Sequence, residues 1–275
     1  MSKEQEQQLE HLLAQAVNEP AFRPVFLQSL LQGAVYCVGY TSEADGTGIT
    51  QRQLTGGSQI FIKSWDDDEF QRIIPFFTSL EKMQLAIDAS ESFLYLPTTT
   101  FMQLTTGAKL VLNPESDAVK LFYPVEVQAL LDGNFSTNPE EYVYEEGVEI
   151  FISEPDPYPD YMVQQLSQYL QQRPEIHAAY LAEMLDTQRD AEPVLVIGLV
   201  FKTALEGQAL QQLHQHIGQV AFDSLAEDAR AIDLVHLHDD ADLCDGLEHY
   251  LLQETQPFYR AIDPHENGFF ATLFS

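Results

Sequence analysis

The side chains best suited to chemistry in this chain are imidazoles, and seven of its eight histidines fall after residue 160. His236 and His238 sit two apart in an alternating apolar segment, so on a strand they share one face, and Asp239, Asp240, Asp242, Cys244 and Asp245 follow at once. Imidazole and carboxylate at that density suit a borderline divalent metal. His236, His238, Asp240 and Asp242 are therefore the candidate ligands. Against them, Val235 and Leu237 alternate with the histidines, which equally describes a strand with an apolar face inward and a polar face in water. We expect no native metal and no cofactor. His214 and His216, two apart on a predicted helix, point to roughly opposite sides and do not readily clamp one ion.

Other chemistries find less support. Counted from Asp240, an EF-hand loop would place its glycine at position seven instead of six and Leu251 where a bidentate glutamate belongs. Gly56-Gly57 is too short for a phosphate loop and lacks the lysine that would follow. The four acids Asp66 to Glu69 beside Trp65 read as a solvated turn, and Glu140, Glu141, Glu145 and Glu146 as an acidic loop or helix surface. No Gly-x-Ser-x-Gly elbow occurs, and neither Cys37 nor Cys244 lies in an activated motif or a close-spaced pair. No catalytic residue is assigned, and the expectation is a protein that binds without turnover.

Charge narrows the choice of what is bound. The formal net charge of -30 arises from 43 acidic against 13 basic residues. Residues 1–152 hold 22 acids and 8 bases and residues 153–275 hold 21 and 5, so neither half offers phosphate an attractive surface. Nucleic acid and anionic membrane are excluded as partners on that ground. Charges interrupt the N-terminal MSKEQEQQLEHLL where a signal peptide needs an apolar core, and the longest apolar run, Val194 to Phe201, has strand length. We expect a cytoplasmic protein whose partner is another protein, with a second copy of the chain as one option. Phe269, Phe270, Leu273 and Phe274 are spaced as one apolar helical turn near the last residue, and they are the candidate partner-binding residues. The competing expectation is that they cover the chain's own core.

The elements that must position these residues are legible in places. In Leu110 to Gly133, a strand at Lys109–Leu112 stops at the turn dipeptide Asn113-Pro114, and Val119, Leu121 and Tyr123 resume the period of two. A helix then opens at Pro124, carries Val127, Leu130 and Leu131 on one face, and ends at Gly133. In Ile73 to Glu81 an apolar strand runs into a helix with Thr78 as expected N-cap and Glu81 completing a capping box, and Pro75 should keep that strand from the sheet centre or mark a bulge. Glu19 to Phe26 breaks one helix and starts another, which stops at Gly33. Further strands are expected at Ala34–Gly39, Gln59–Lys63 and Phe93–Leu96, and helices at Leu80–Ala89 and Thr99–Thr105.

With these three pieces in order, the chain resembles the SseB family, the bacterial "enhanced serine sensitivity" proteins, over roughly its first half and more distantly to its end. The resemblance implies two consecutive α+β domains in a cytoplasmic bacterial protein, and it brings no catalytic residues with it. Pro155, Pro157 and Pro159 mark the boundary, giving domains 1–152 and 153–275 joined by a stiff linker at about 153–160. Beyond it, helix, strands at Ile176–Met184 and Val194–Phe201, helix Gln208–Val220, strand Ile232–His238, helix Leu243–Gln253 and strand Pro257–Arg260 resemble a ferredoxin-like sandwich. The fold class is thus α+β. The function expected is a non-enzymatic protein-interaction or regulatory role, with amino-acid sensing as the alternative and an enzyme third.

Overall fold

In the first unit, apolar residues recur along the central strands on both faces, so the sheet needs cover on both sides. The computed structural model describes residues 3–41, 59–67, 71–87, 91–132, 150–187, 192–225, 230–238 and 246–261. The chain divides into two compact units, Met1–Thr137 and Asn138–Ser275. Helices α1 (Lys3–Asn18) and α2 (Arg23–Gln32) precede strands β1 (Ala34–Thr41), β2 (Ile60–Ile62), β3 (Trp65–Asp67) and β4 (Gln71–Phe77). Then come α3 (Leu80–Ala86), β5 (Phe93–Pro97), α4 (Thr98–Leu104), β6 (Lys109–Leu112), β7 (Lys120–Phe122) and α5 (Pro124–Asp132).

The sheet runs β2-β1-β4-β6-β7, with β5 on β1 and β3 on β4. Because side chains alternate along a strand, Val35, Cys37 and Phe76 pack with Leu9, Leu13, Phe26, Phe101 and Val127 of the helices. Their neighbours Val38 and Phe77 meet Met83 of α3 on the other face. Gly39 is required where β1 passes β2: a Cβ there would lie 2.3 Å from the backbone oxygen of Phe61.

Pro75 is not at an edge, for β4 lies between β1 and β6. The Phe76 carbonyl accepts from the Asn113 N–H on the β6 side, so Pro75 directs its backbone the other way. There it falls between the stretch paired with β3, Gln71 to Ile73, and the stretch paired with β1, Phe76 and Phe77. No ladder bond is missed. The acidic run beside Trp65 begins as strand and not as a turn, since Trp65 to Asp67 pair with β4; Asp68 and Glu69 lie outside the described residues.

The second unit holds β8 (Ile150–Ser153), α6 (Asp160–Leu170), β9 (Ile176–Asp186), β10 (Val194–Phe201), α7 (Gly207–Ser224) and β11 (Ile232–Leu237). A short helix α8 (Leu247–His249) continues into a π-helical turn, Tyr250–Glu254, before β12 (Tyr259–Arg260). The sheet order is β11-β10-β9-β12, and β8 pairs with β9. Ala178, Tyr180, Ala182 and Met184 of β9 pack with Val196, Leu237, Leu247 and Leu251 on one face. Leu181, Leu195, Ile197 and Leu199 are also buried and, by alternation, point to the opposite face. The helices α6 and α7 pack on one another.

Two expectations change here. A ferredoxin-like split unit would place a strand between its parallel pair, whereas β10 and β11, joined by α7, are hydrogen-bonded directly in parallel. The topology therefore departs from the ferredoxin-like order, although the α+β class holds. The proline segment is also not the junction between the units. Ile150 to Ser153 pair with Asp186 to Glu183, so Pro155, Pro157 and Pro159 connect β8 to α6 within one unit, and the Pro157 carbonyl accepts from Arg230 Nη2 at 3.1 Å. Among the described residues no helix is long and apolar enough to cross a membrane.

Replacing Gly39 by alanine should force β2 from β1, because backbone oxygen cannot rotate away. A loss of roughly 1–3 kcal/mol is expected, read as a lower midpoint in urea unfolding.

Candidate functional site

The histidines of the second unit come together through a crossover. On β11, Val235 and Leu237 pack toward the cluster around Met184 and Leu251, so His236 points to the other side. The helix α7, which links β10 to β11, passes over that side and presents His214. The two Nε2 atoms stand 2.7 Å apart, with ring centroids at 4.8 Å. The Phe201 ring meets His236 edge-on at 4.8 Å. Burial first, then the neighbouring imidazole, holds His214 down at about 4, and burial followed by His238 lowers His236. Both rings are therefore neutral near pH 7, and one Nε2–H donates to the other Nε2.

His238 does not join them. Its Nδ1 lies 3.0 Å from Glu248 Oε1, and the same oxygen accepts from its backbone N–H at 3.3 Å. The expected quartet of His236, His238, Asp240 and Asp242 is thus divided: its two histidines face different partners, while Asp240 and Asp242 lie outside the described residues. Among the described residues no group of three His, Cys, Asp or Glu side chains is arranged to hold a metal. Asp239, Cys244, Asp245, Gly56, Gly57, Glu140, Glu141, Glu145, Glu146, Gly133 and the aromatic set Phe269, Phe270, Leu273 and Phe274 also lie outside the described residues.

His216 follows a different logic from His214. It belongs to the buried stripe of α7 with Leu213, Ile217 and Val220, and its Nδ1 lies 3.2 Å from the Tyr169 hydroxyl. The Arg173 guanidinium covers the Tyr169 ring at 4.7 Å. Burial, then Arg173, keeps His216 down at about 4, so this imidazole is a neutral core member.

In the first unit, polar groups converge where β4 ends. Asn113 adopts φ 52°, the left-handed conformation that asparagine tolerates. Its Oδ1 accepts from the Thr78 N–H at 3.0 Å, and its Nδ2 donates to Thr78 Oγ1 at 3.0 Å. Glu10 Oε1 accepts from Thr78 Oγ1 at 3.0 Å and Ser79 Oγ at 2.6 Å. With the threonine hydroxyl engaged this way, the N-cap shifts to Ser79, whose Oγ accepts from the Lys82 N–H at 3.2 Å. The expected Thr78 cap and its box with Glu81 are replaced accordingly; Glu81 instead lies 3.6 Å from Lys3 Nζ at the surface.

Beside this junction opens a cleft of about 170 Å³, lined by Lys3, Glu6, Glu10, Tyr36 and Ser79 among others. The Tyr36 hydroxyl donates to Glu6 Oε1 at 3.2 Å, and burial, then Glu6, pushes its pKa up to about 12. Tyr36 remains a protonated donor. Burial also pushes the Cys37 thiol up to about 12, which leaves negligible thiolate for nucleophilic attack at neutral pH.

The His214–His236 pair escaped sequence reasoning because spacing compares residues within one element. The available signal was the β10-α7-β11 crossover, which must lay α7 on one face of β11. Glu10, 68 residues from Thr78, gave no local signal at all.

Two tandem α+β units, the first with a mixed sheet under helices and the second built on an antiparallel hairpin plus a parallel crossover, define the class of protein. Family models match both: the SseB protein N-terminal domain over residues 9–129 and the SseB protein C-terminal domain over residues 144–260. The chain belongs to the SseB family. It is 28% identical over 256 residues to Protein SseB of Escherichia coli (strain K12) and likewise to Protein SseB of Shigella flexneri, in each case over 93% of this chain and 93% of the relative. No solved structure matches it.

His216 and His214 each have a folded-state pKa below the unfolded value of 6.5. The stability they confer as neutral groups is present above pH 6.5 and is lost as pH falls through about 4. Replacing His216 by glutamine should flatten the decline in unfolding free energy over that window by up to about 3 kcal/mol, measured by urea titrations at successive pH values.

Proposed function

We propose that this SseB-family protein works by binding another protein in the cytoplasm, as an interaction or regulatory module with no turnover of its own. The observation that carries this reading is the pair Tyr123 and Val125 at the start of α5, with 54% and 81% of their surfaces exposed. An apolar side chain standing that free on a chain of charge -30 fits an anchor within a polar surround, the pattern of protein interfaces. Lys109 Nζ lies 6.0 Å from the Tyr123 ring centroid, so the patch is not uniformly acidic. Meanwhile Cys37, His216, Thr78 and Asn113 are buried and hold structure together. The overall charge disfavours phosphate-bearing partners.

A second reading, amino-acid sensing, draws on the cleft, whose lining includes Lys3 and the acids Glu6 and Glu10 and so holds both charges a zwitterion would meet. Its volume of about 170 Å³ is below the roughly 300–1,000 Å³ usual for ligand sites, which places this reading second.

The test is affinity capture from cell extract with the full chain, run beside a Tyr123→Ser/Val125→Glu double variant. A stoichiometric protein partner, weakened roughly tenfold or more in the double variant, a loss of about 1.4 kcal/mol, is the expected result. Calorimetry against single amino acids gives the contrary outcome: saturable heat that disappears in Glu6→Gln would move sensing to first place.

A further inference from the structure

We propose that His214 and His236 form a two-imidazole site for a divalent copper or nickel ion, held between α7 and the edge of the second sheet. The geometry is specific. The two Nε2 atoms lie 2.7 Å apart, and they come from two elements, α7 and β11, that pack on one another. Metal–imidazole bonds are about 2.0 Å long, so two such ligands at a right angle sit about 2.8–2.9 Å apart, whereas tetrahedral ligands sit about 3.3 Å apart. The observed spacing lies close to the first value. Imidazole nitrogen suits copper and nickel, with copper ahead of nickel in intrinsic affinity.

Protonation agrees with this. Both imidazoles are lowered below their ordinary value, so at neutral pH no proton has to be expelled to free a lone pair. The hydrogen bond between the rings carries one Nε2–H. Coordination through both Nε2 atoms requires each ring to hold its hydrogen on Nδ1 instead, a tautomer exchange through solvent that releases no net proton. His236 is exposed, and His214 is only partly buried, which gives an ion access. Among the described residues no third protein ligand completes the set, so solvent would fill the remaining positions.

Bridging also has a structural result. An ion at this point ties α7 to β11, the two members of the crossover, in the folded state alone. Linkage then predicts a higher melting temperature when the ion is bound.

The experiment uses the full chain without a histidine tag, stripped with chelator and titrated with copper(II). Uptake of one copper ion per chain is expected, with electron paramagnetic resonance showing coupling to imidazole nitrogen and with a rise in melting temperature. His214→Gln and His236→Gln should each weaken binding roughly tenfold or more and remove the imidazole signature, while His11→Gln on α1 leaves both unchanged. Circular dichroism establishes that the variants are folded. Anomalous diffraction from copper-soaked crystals of the parent chain supplies a check that needs no variant, with density expected about 2 Å from each of the two Nε2 atoms. The proposal is overturned if the imidazole signature survives in both variants, or if copper density lies elsewhere. Uptake that the parent shares equally with His214→Gln means an adventitious ion only, and it also overturns the site.

Discussion

One carboxamide sets the geometry at the end of the first sheet. Asn113 turns the chain through a left-handed conformation and its Oδ1 accepts from the backbone N–H of Thr78, the amide at which β4 has just run out of strand partners. That donor is buried with Thr78, and an unmet buried donor costs about 1–3 kcal/mol. Meeting it fixes the ends of β4 and β6 against each other, leaves the Thr78 hydroxyl to Glu10 of α1, and so hands the start of α3 to Ser79. The cleft beside Lys3 and Tyr36 inherits its walls from this arrangement. Residues from three distant segments are thus locked by a single polar knot.

The second unit is organised by packing instead. Its hairpin is apolar on both faces, which obliges helical or π-helical cover on each side. Once β10 and β11 are joined in parallel through α7, the helix must pass over one face of the sheet. Polar residues on that face of β11 then meet helix as well as water. His236 is the clearest case, because its strand pattern alone suggests a solvent-facing ring.

Much of the architecture was legible because local signals agreed with one another. Lys109–Leu112 and Val194–Phe201 have the expected bounds, since a turn dipeptide or a proline limits each apolar run. The α+β class follows from that density of short strands and capped helices. What was not legible depended on distance. The β8 strand, Ile150–Ser153, is four residues long beside a proline segment, and only its pairing with Glu183 to Asp186 makes it strand. Pro75 reads as an edge residue unless one knows that β4 changes partner beside it. For the candidate site, the spacing of His236 and His238 suggests one shared strand face, but β11 ends at Leu237, and their partners, His214 and Glu248, are chosen by tertiary contacts.

The pairing of β8 and β12 with β9 has a mechanical side. Both strands lie antiparallel to β9 on the side away from β10, β8 against Asp186 to Glu183 and β12 against Ala179 and Ala178. They run in the same direction, one ahead of the other along a shared rail. Tension applied through the two ends of the unit therefore pulls them apart lengthwise, in shear, and each short ladder has to yield as a block. A domain assembled this way resists stretching along its chain better than its four-residue and two-residue end strands would suggest.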